Sequence, residues 1–506
     1  MKKPFIIHPF LFAIFPVLFL FSHNIKELSV DVIYIPAMFL VFSTLLFWFL
    51  LSFITKDKIR AGLLISLFFF SFFSYGHIHN LLKNLVEWGS GIWRHRYLFS
   101  VWIAFFTFGS YLIIKTRKFL YKLTNFLNVV ASSLVIISLI NITVYKLKTA
   151  TVRQGPRNIG TNAIDIKKPD RRPNIYYIIL DAYARADILK EIYNYDNAPF
   201  LNYLKKKGFY VADKSTANYP LTPLSLSSSL NFRYLNESTD KTPNMVKDNR
   251  AFHFLRQHGY KIVTFSSVIS YTDIRNADIY ITPKWNLNEF QRMLMGATPI
   301  PVVLYRLGIA KTFHRKHILY ILDHLPDTCK LKNHIFVFAH ILCPHTPFVF
   351  EENGEPVKIK KGLLSEDRGW FIGAAERGDR REYVKHYRKQ VIFINKKMIE
   401  IVDKIISDSS RPPIIILQGD HGPRTLDFWE NPDKTYLKEG FSILNAYYLP
   451  GNANPHLYNE ITPANTFRII FNHYFGTDYE LLDDKNYFPS GGCPKEFIDV
   501  TDKISS

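Results

Sequence analysis

The sequence predicts an α/β protein: an N-terminal multi-span α-helical membrane domain, followed by an α/β/α sandwich around a mostly parallel sheet. Three observations carry that reading. Five long apolar runs fill the first 145 residues. From Asn174 on, short apolar runs alternate with helical patterns, the signature of a parallel sheet covered by helices. Two of the short runs, far apart in the chain, end in an acid: IYYIIL in Asp181, and PIIILQGDHG (Pro413–Gly422) in Asp420.

The five long runs are Pro4–Ser22, Val32–Ile54, Ala61–Tyr75, Leu98–Ile114 and Phe126–Tyr145. A helix needs about 20 apolar residues to cross a hydrocarbon core about 30 Å thick. Most runs come close to that length, and Ala61–Tyr75 is the shortest. They carry almost no charge and are apolar all round, as lipid-facing helices are. The first follows Lys2 and Lys3, but no small-residue cleavage site comes after it, so it reads as a retained span. With the N-terminus inside, the cytoplasmic side holds Lys2, Lys3, Lys56, Lys58, Arg60, Lys115, Arg117, Lys118 and Lys122. The other side holds Lys26, Lys83, Arg94 and Arg96, a bias of the right sign. Five spans then put everything after Tyr145 outside the cytoplasm. The predicted domains are a membrane domain over 1–145, a polar linker over 146–173 and an extracytoplasmic domain over 174–506.

A chain of 506 residues that is 48% hydrophobic suffices for the spans plus one large domain. A net charge of +20 on a soluble chain would suggest nucleic acid. Here the basic residues are dispersed, and the membrane anchor favours membrane lipid headgroups or phosphorylated envelope glycans as partners over nucleic acid. Cys329, Cys343 and Cys493 form neither a disulfide framework nor a zinc ribbon. Cys329 and Cys343 can pair in an oxidising compartment, but three isolated thiols are the simpler reading.

Strands are expected at Ile175–Leu180, Lys261–Phe265, Ile279–Thr282, Ile335–Ala339, Ile414–Leu417 and Leu444–Leu449. Helices are expected at Asp187–Lys207, Asn249–His258, Arg381–Ser407 and Thr462–Tyr474. In the third, Tyr383, Tyr387, Val391, Ile394, Met398, Ile401 and Ile405 mark one buried face in steps of three and four. Thr462 precedes Pro463, a helix start with the proline in first position.

Ligands of such folds sit beyond the carboxyl ends of the strands, where Asp181, His340 and Asp420 fall. Asp181 alone reads equally well as a helix cap or turn residue. Asp420-His421-Gly422 is harder to explain as a turn, since the histidine adds nothing to turn formation. A carboxylate, an imidazole and a glycine at a strand end suit a metal site. His340 and His345, in FAHILCPHTPF, lie in a proline-stiffened loop and can bind a metal or hydrogen-bond an oxyanion. In NYPLTPLSLSSSLN (Asn218–Asn231), Thr222 reads as an N-cap before Pro223. A hydroxyl there faces the positive end of the helix, and a divalent cation would make it a usable nucleophile. No P-loop, GxGxxG after a strand, HExxH or GxSxG occurs, which argues against nucleotide kinases, dehydrogenases, zincins and α/β-hydrolases.

Four motifs together resemble the sulfatase-like branch of the alkaline phosphatase superfamily. They are LDAY at Leu180–Tyr183, the LTPLSLSSSLN segment, PHTPF at Pro344–Phe348 and GDHGPR at Gly419–Arg424. The layout resembles the membrane-anchored lipoteichoic acid synthases and lipid A phosphoethanolamine transferases, which implies a multi-pass protein of the bacterial inner (cytoplasmic) membrane with an alkaline phosphatase-like outer domain. The resemblance implies metal ligation by Asp181, Thr222, Asp420 and His421, with Thr222 as nucleophile and Ser225 as its near competitor. It puts His345 on the substrate side. The expected mechanism adds His340 or Arg424 as further contacts for the phosphoryl oxygens. The resemblance implies a divalent cation, among zinc, manganese, magnesium and calcium; two carboxylates, an imidazole and an alkoxide favour zinc or manganese. The chain departs from the sulfatases in lacking a C/S-x-P-x-R motif. It departs from the phosphoethanolamine transferases in its next histidine after His421, which is His456.

The expected function is therefore a metal-dependent phosphotransferase or phosphohydrolase acting on a lipid-linked or envelope glycan substrate. A sulfatase with an unmodified hydroxyl nucleophile is the second expectation. A non-catalytic membrane protein that binds glycan or lipid is the third.

Overall fold

The computed structural model describes residues 4–25, 30–85, 95–116, 119–152, 172–236, 242–357, 380–423, 432–433, 436–451, 456–489 and 496–505. The chain forms two compact units: Met1–Ile166 with Trp285–Ala310, and Lys167–Lys284 with Lys311–Ser506.

The first unit is helical: α1 (His8–His23), α2 (Tyr34–Thr55), α3 (Lys58–Leu85), α4 (His95–Lys115) and α5 (Leu120–Val152). Among the described residues, α2 to α5 contain helices long and apolar enough to cross a membrane. α1 has 16 residues, about 24 Å of helix, short of a core about 30 Å thick. The shortest run in sequence, Ala61–Tyr75, becomes the 28-residue helix α3, because its polar flanks stay helical. α3 packs against α1, α2, α4 and α5 and buries Leu63, Ile65, Phe69 and Phe73. α2, α4 and α5 leave Phe39, Phe42, Phe53, Phe108 and Phe126 exposed, as lipid-facing surfaces require.

Trp285–Ala310 belongs to this helical unit, so 174–506 is not one uninterrupted domain. Phe290, from the helix Glu289–Gly296, is fully buried in the cluster of Ala13, Val17, Phe69 and Phe73. The Gly76 N–H donates to the Ala297 carbonyl at 2.9 Å. A Cβ on residue 76 would lie 2.2 Å from the Gly296 carbonyl oxygen, so glycine is required at this crossing.

The second unit is built on a seven-stranded sheet. Its strands are β1 (Ile175–Leu180), β2 (Tyr210–Val211), β3 (Lys261–Phe265), β4 (Ile279–Ile281), β5 (Ile335–Ile341), β6 (Ile414–Gly419) and β7 (Asn445–Tyr448). The order is β2-β7-β6-β1-β5-β3-β4. β6, β1, β5, β3 and β4 run parallel, β7 is antiparallel to β6, and β2 is antiparallel to β7. The predicted α/β class with a mostly parallel sheet is what forms.

All six residues of β1 are fully buried, as expected of a central parallel strand covered on both faces. Tyr176, Ile178 and Leu180 pack with Tyr387, Val391, Ile394 and Met398 of the helix Arg380–Asp408. Ile175, Tyr177 and Ile179 pack with Leu226 and Leu230 of the helix Thr222–Asn231, and with Phe467 and Ile470 of Pro463–Phe475. The helical pattern Asp187–Lys207 splits into Ala186–Glu191 and Ala198–Lys206, because Pro199 starts a helix but cannot continue one. The linker 146–173 is helical to Val152; 153–171 lie outside the described residues. Cys329 and Cys343 are free thiols, and Cys493 is outside the described residues.

Candidate metal centre

Three adjacent parallel strands bring the site together. Leu180 pairs with Ile341 of β5 on one side and Gly419 of β6 on the other. Asp181 and Asp420 therefore leave neighbouring strands at the same level, although 238 positions separate Ala182 from Asp420, whose Oδ1 accepts the Ala182 N–H at 3.0 Å. To make that bond Ala182 adopts φ +59°, an uncommon conformation for a residue with a Cβ. The turn is clamped by buried Tyr387, whose hydroxyl donates to the Ala182 carbonyl at 2.7 Å and accepts from the Ala184 N–H at 3.0 Å.

Thr222 arrives from the other layer. Leu221, in extended conformation (φ −134°, ψ 132°), is the N-cap, and Thr222 is the first helical residue. This corrects the sequence reading of Thr222 as the cap. Its hydroxyl is not spent on the backbone but lies 3.1 Å from His421 Nε2. His421 Nδ1 is 2.7 Å from the Gly422 carbonyl, which only accepts, so Nδ1 carries the hydrogen. Nε2 then directs a lone pair at Thr222 Oγ1. Gly422 lets the chain pass close to its neighbour: a Cβ there would sit 1.8 Å from the Glu439 carbonyl oxygen.

His421 Nε2 lies 3.6 Å from Asp181 Oδ1 and 3.7 Å from Asp420 Oδ2. His340 Nε2 lies 3.2 Å from Asp181 Oδ2. Asp181, His340, Asp420 and His421 are each at most 3% exposed. Burial alone would raise the Asp181 carboxyl, but positive charge at the neighbouring His345, His340 and His421 rings outweighs it and holds Asp181 well below the usual carboxylate range, a charge that neutral rings would leave to a bound cation.

Two buried carboxylates need compensating charge. Among the described residues only histidines pair with Asp181 and Asp420. Asp181 Oδ1 and Asp420 Oδ2 have no hydrogen-bond partner. Donors held about 2.0–2.1 Å from one ion in a tetrahedron lie roughly 3.3–3.4 Å from one another. The observed spacings of 3.1, 3.6 and 3.7 Å bracket that value. The donor set thus fits a divalent cation.

His345 sits on the loop after β5. Its N–H donates to the Asp181 carbonyl at 3.0 Å, and its ring meets that of His421 edge-on at 6.0 Å. Unlike His340 it is only partly buried. The buried side chain of Gln390 holds the loop, donating to the Pro344 and His345 carbonyls at 3.0 and 3.1 Å and accepting from the Val349 N–H at 2.9 Å. Ser225 is buried and has no hydrogen bond to Asp181, Asp420 or His421 among the described residues. Arg424 lies outside the described residues.

Sequence reasoning missed Gln390, Tyr387's clamp and Thr272, which contacts His340 Nδ1 at 3.0 Å. A glutamine on the apolar face of Arg380–Asp408 was a visible signal, since a buried amide needs partners. Thr272 carried none.

No protein-family model and no curated protein matches the chain. Solved structures with related outlines include the C-terminal periplasmic domain of EcEptC from Escherichia coli in complex with zinc. It shares 11% identity, over 65% of this chain and 93% of that one, at a TM-score of 0.44. The integral membrane lipooligosaccharide phosphoethanolamine transferase A (EptA) from Neisseria meningitidis shares 11% identity, over 92% of this chain and 95% of that one, at a TM-score of 0.39. A Bacteroides thetaiotaomicron protein of glycosaminoglycan metabolism shares 14% identity, over 65% of this chain and 84% of that one, at a TM-score of 0.39. These likenesses are weak, and the chemistry is read from this chain's own residues.

Proposed function

We propose that the chain is a membrane-anchored, metal-dependent phosphotransferase or phosphohydrolase that works through Thr222 on a lipid-linked or envelope glycan substrate. The observation that supports this most is the Thr222 hydroxyl at 3.1 Å from a lone pair of His421, beside two buried carboxylates with unpartnered oxygens. Asp181, Asp420 and His421 hold the cation, with zinc or manganese favoured by donor type. When bound, it supplies positive charge for the nucleophile and for a phosphoryl oxygen. Thr222 Oγ1 forms a bond to phosphorus as the bond to the leaving oxygen breaks, and the hydroxyl proton passes to the leaving group. An alcohol or water oxygen then bonds to phosphorus as the bond to Thr222 Oγ1 breaks, and its proton returns to Thr222 Oγ1. His345, partly open to solvent beside His421, faces the phosphoryl oxygens and the leaving group. Arg424 is the further phosphoryl contact in this reading.

The long apolar helices bring the enzyme to a substrate held in a bilayer. The lysine and arginine bias along them favours an extracytoplasmic site at the cytoplasmic membrane.

Mass spectrometry of the full-length protein after incubation with total membrane lipid tests the proposal. A covalent phosphoryl adduct on Thr222 is expected, its mass identifying the group transferred. Thr222→Ala should lower turnover about 10⁴-fold or more while leaving metal content intact. Full activity in that variant rules out the nucleophile. Turnover of an aryl sulfate well above an aryl phosphodiester would move the chain to sulfate ester hydrolysis.

A further inference from the structure

We propose that His340 is a ligand of the cation, entering through Nε2 beside Asp181 Oδ2, and not a contact for the substrate. This rests on the metal-centre reading and adds a donor to it.

Four observations place His340 on the metal side. First, its imidazole is only 3% exposed, whereas His345, five residues on, is partly open. His340 also belongs to β5, paired through its backbone with Ile179 of β1, so it sits in the floor of the site and not in its rim. Second, Thr272 orients the ring. Its hydroxyl lies 3.0 Å from His340 Nδ1 and is itself held by the Ser267 hydroxyl at 2.9 Å and the Ile269 carbonyl at 3.3 Å. A polar partner on the far ring nitrogen is how proteins aim ligating histidines.

Third, Nε2 faces an anion. Asp181 Oδ2 is 3.2 Å away, yet no aligned hydrogen bond joins the two, and Nε2 has no other partner. A cation beside both would satisfy these two buried atoms at once. Fourth, ligating atoms of Asp181, His340 and Asp420 all lie within 4.8 Å of one another in a wholly buried cluster, whereas the cluster of Asp181, His345 and His421 that meets the same limit is partly open at His345. Asp420 Oδ2, the oxygen left over from the Ala182 N–H bond, is also without a hydrogen-bond partner. Asp181 thus turns one oxygen toward His421 and the other toward His340.

Zinc affinity of the purified full-length protein in detergent, measured by competition with a chromophoric chelator, tests the assignment. Thr272→Val keeps the imidazole but removes the hydroxyl that orients it, and should weaken zinc about 10–100-fold. His340→Gln should weaken it further. Wild-type affinity in His340→Gln, alongside lost binding in Asp420→Asn, overturns the assignment but leaves the metal centre standing. A wild-type protein that binds no zinc, manganese, magnesium or calcium overturns both. Should His340→Gln fail to fold, X-ray absorption at the zinc edge of His345→Gln decides the matter: two coordinated imidazoles support His340 as a ligand, and one overturns it.

Discussion

The two sides of the site are built from different materials. Asp181, His340 and Asp420 stand on or directly after three hydrogen-bonded parallel strands and are almost wholly buried. Thr222, itself buried, and His345, partly open, come from a helix start and a loop. Groups that must hold an ion at fixed distances gain from the rigid sheet. Groups that must meet a substrate need access, which the loop carrying His345 provides. The contrast also explains why a five-residue step separates two histidines with different surroundings: β5 ends at Ile341, between them.

Substitutions on the two sides should therefore fail differently. The largest effect is expected on the sheet side. Asp420→Asn removes one of two buried carboxylates and should leave the purified protein with little bound metal and no turnover. Elemental analysis checks this, and stoichiometric metal in that variant would break the distinction. On the loop side, His345→Gln should keep its metal and lose about 10²–10³ in kcat, the scale of a removed transition-state donor. Gln390→Ala releases the loop that carries His345. A loss of about 1–3 kcal/mol is expected from carbonyls and an N–H left without partners, with kcat lowered and metal content unchanged; denaturation and steady-state kinetics together read this out.

The smallest effect is on acid stability. Burial, with His317 and His345 beside it, pushes His314 down to about 3, below the ordinary value of about 6.5. Between those values the unfolded chain binds a proton that the folded chain does not. This contribution to stability is full above about pH 6.5 and falls as the pH drops through the window, by at most about 1.4 kcal/mol per pH unit. His314→Leu should flatten the acid limb of melting curves recorded between pH 7 and 5. An unchanged slope would show that another group sets it.

Much of this molecule was legible in one dimension. Strand and helix periods, the apolar runs, and an acid at the end of each of two buried strands announced the α/β sheet and put Asp181, Asp420 and His421 in one place. Helix lengths were less legible. Ala61–Tyr75 looked shortest because hydropathy stops at polar residues, whereas a helix stops where its backbone bonds stop. Trp285–Ala310 showed no long apolar run, so its return to the helical unit, through Phe290 and Gly76, left no mark in the sequence. The cap at Leu221 was equally hidden, because a threonine before a proline fits two adjacent positions of a helix start.

The order of residues alone determined which chemical groups are present and which segments are strands or helices, since these depend on local periodicity and side-chain type. Only the tertiary structure decided that β1 lies between β5 and β6, that Thr272 turns the His340 ring, and that Tyr387 clamps Ala182. These are contacts between residues tens to hundreds of positions apart, and no local energy term encodes them. They are set when the sheet closes and every buried donor and acceptor must find its partner.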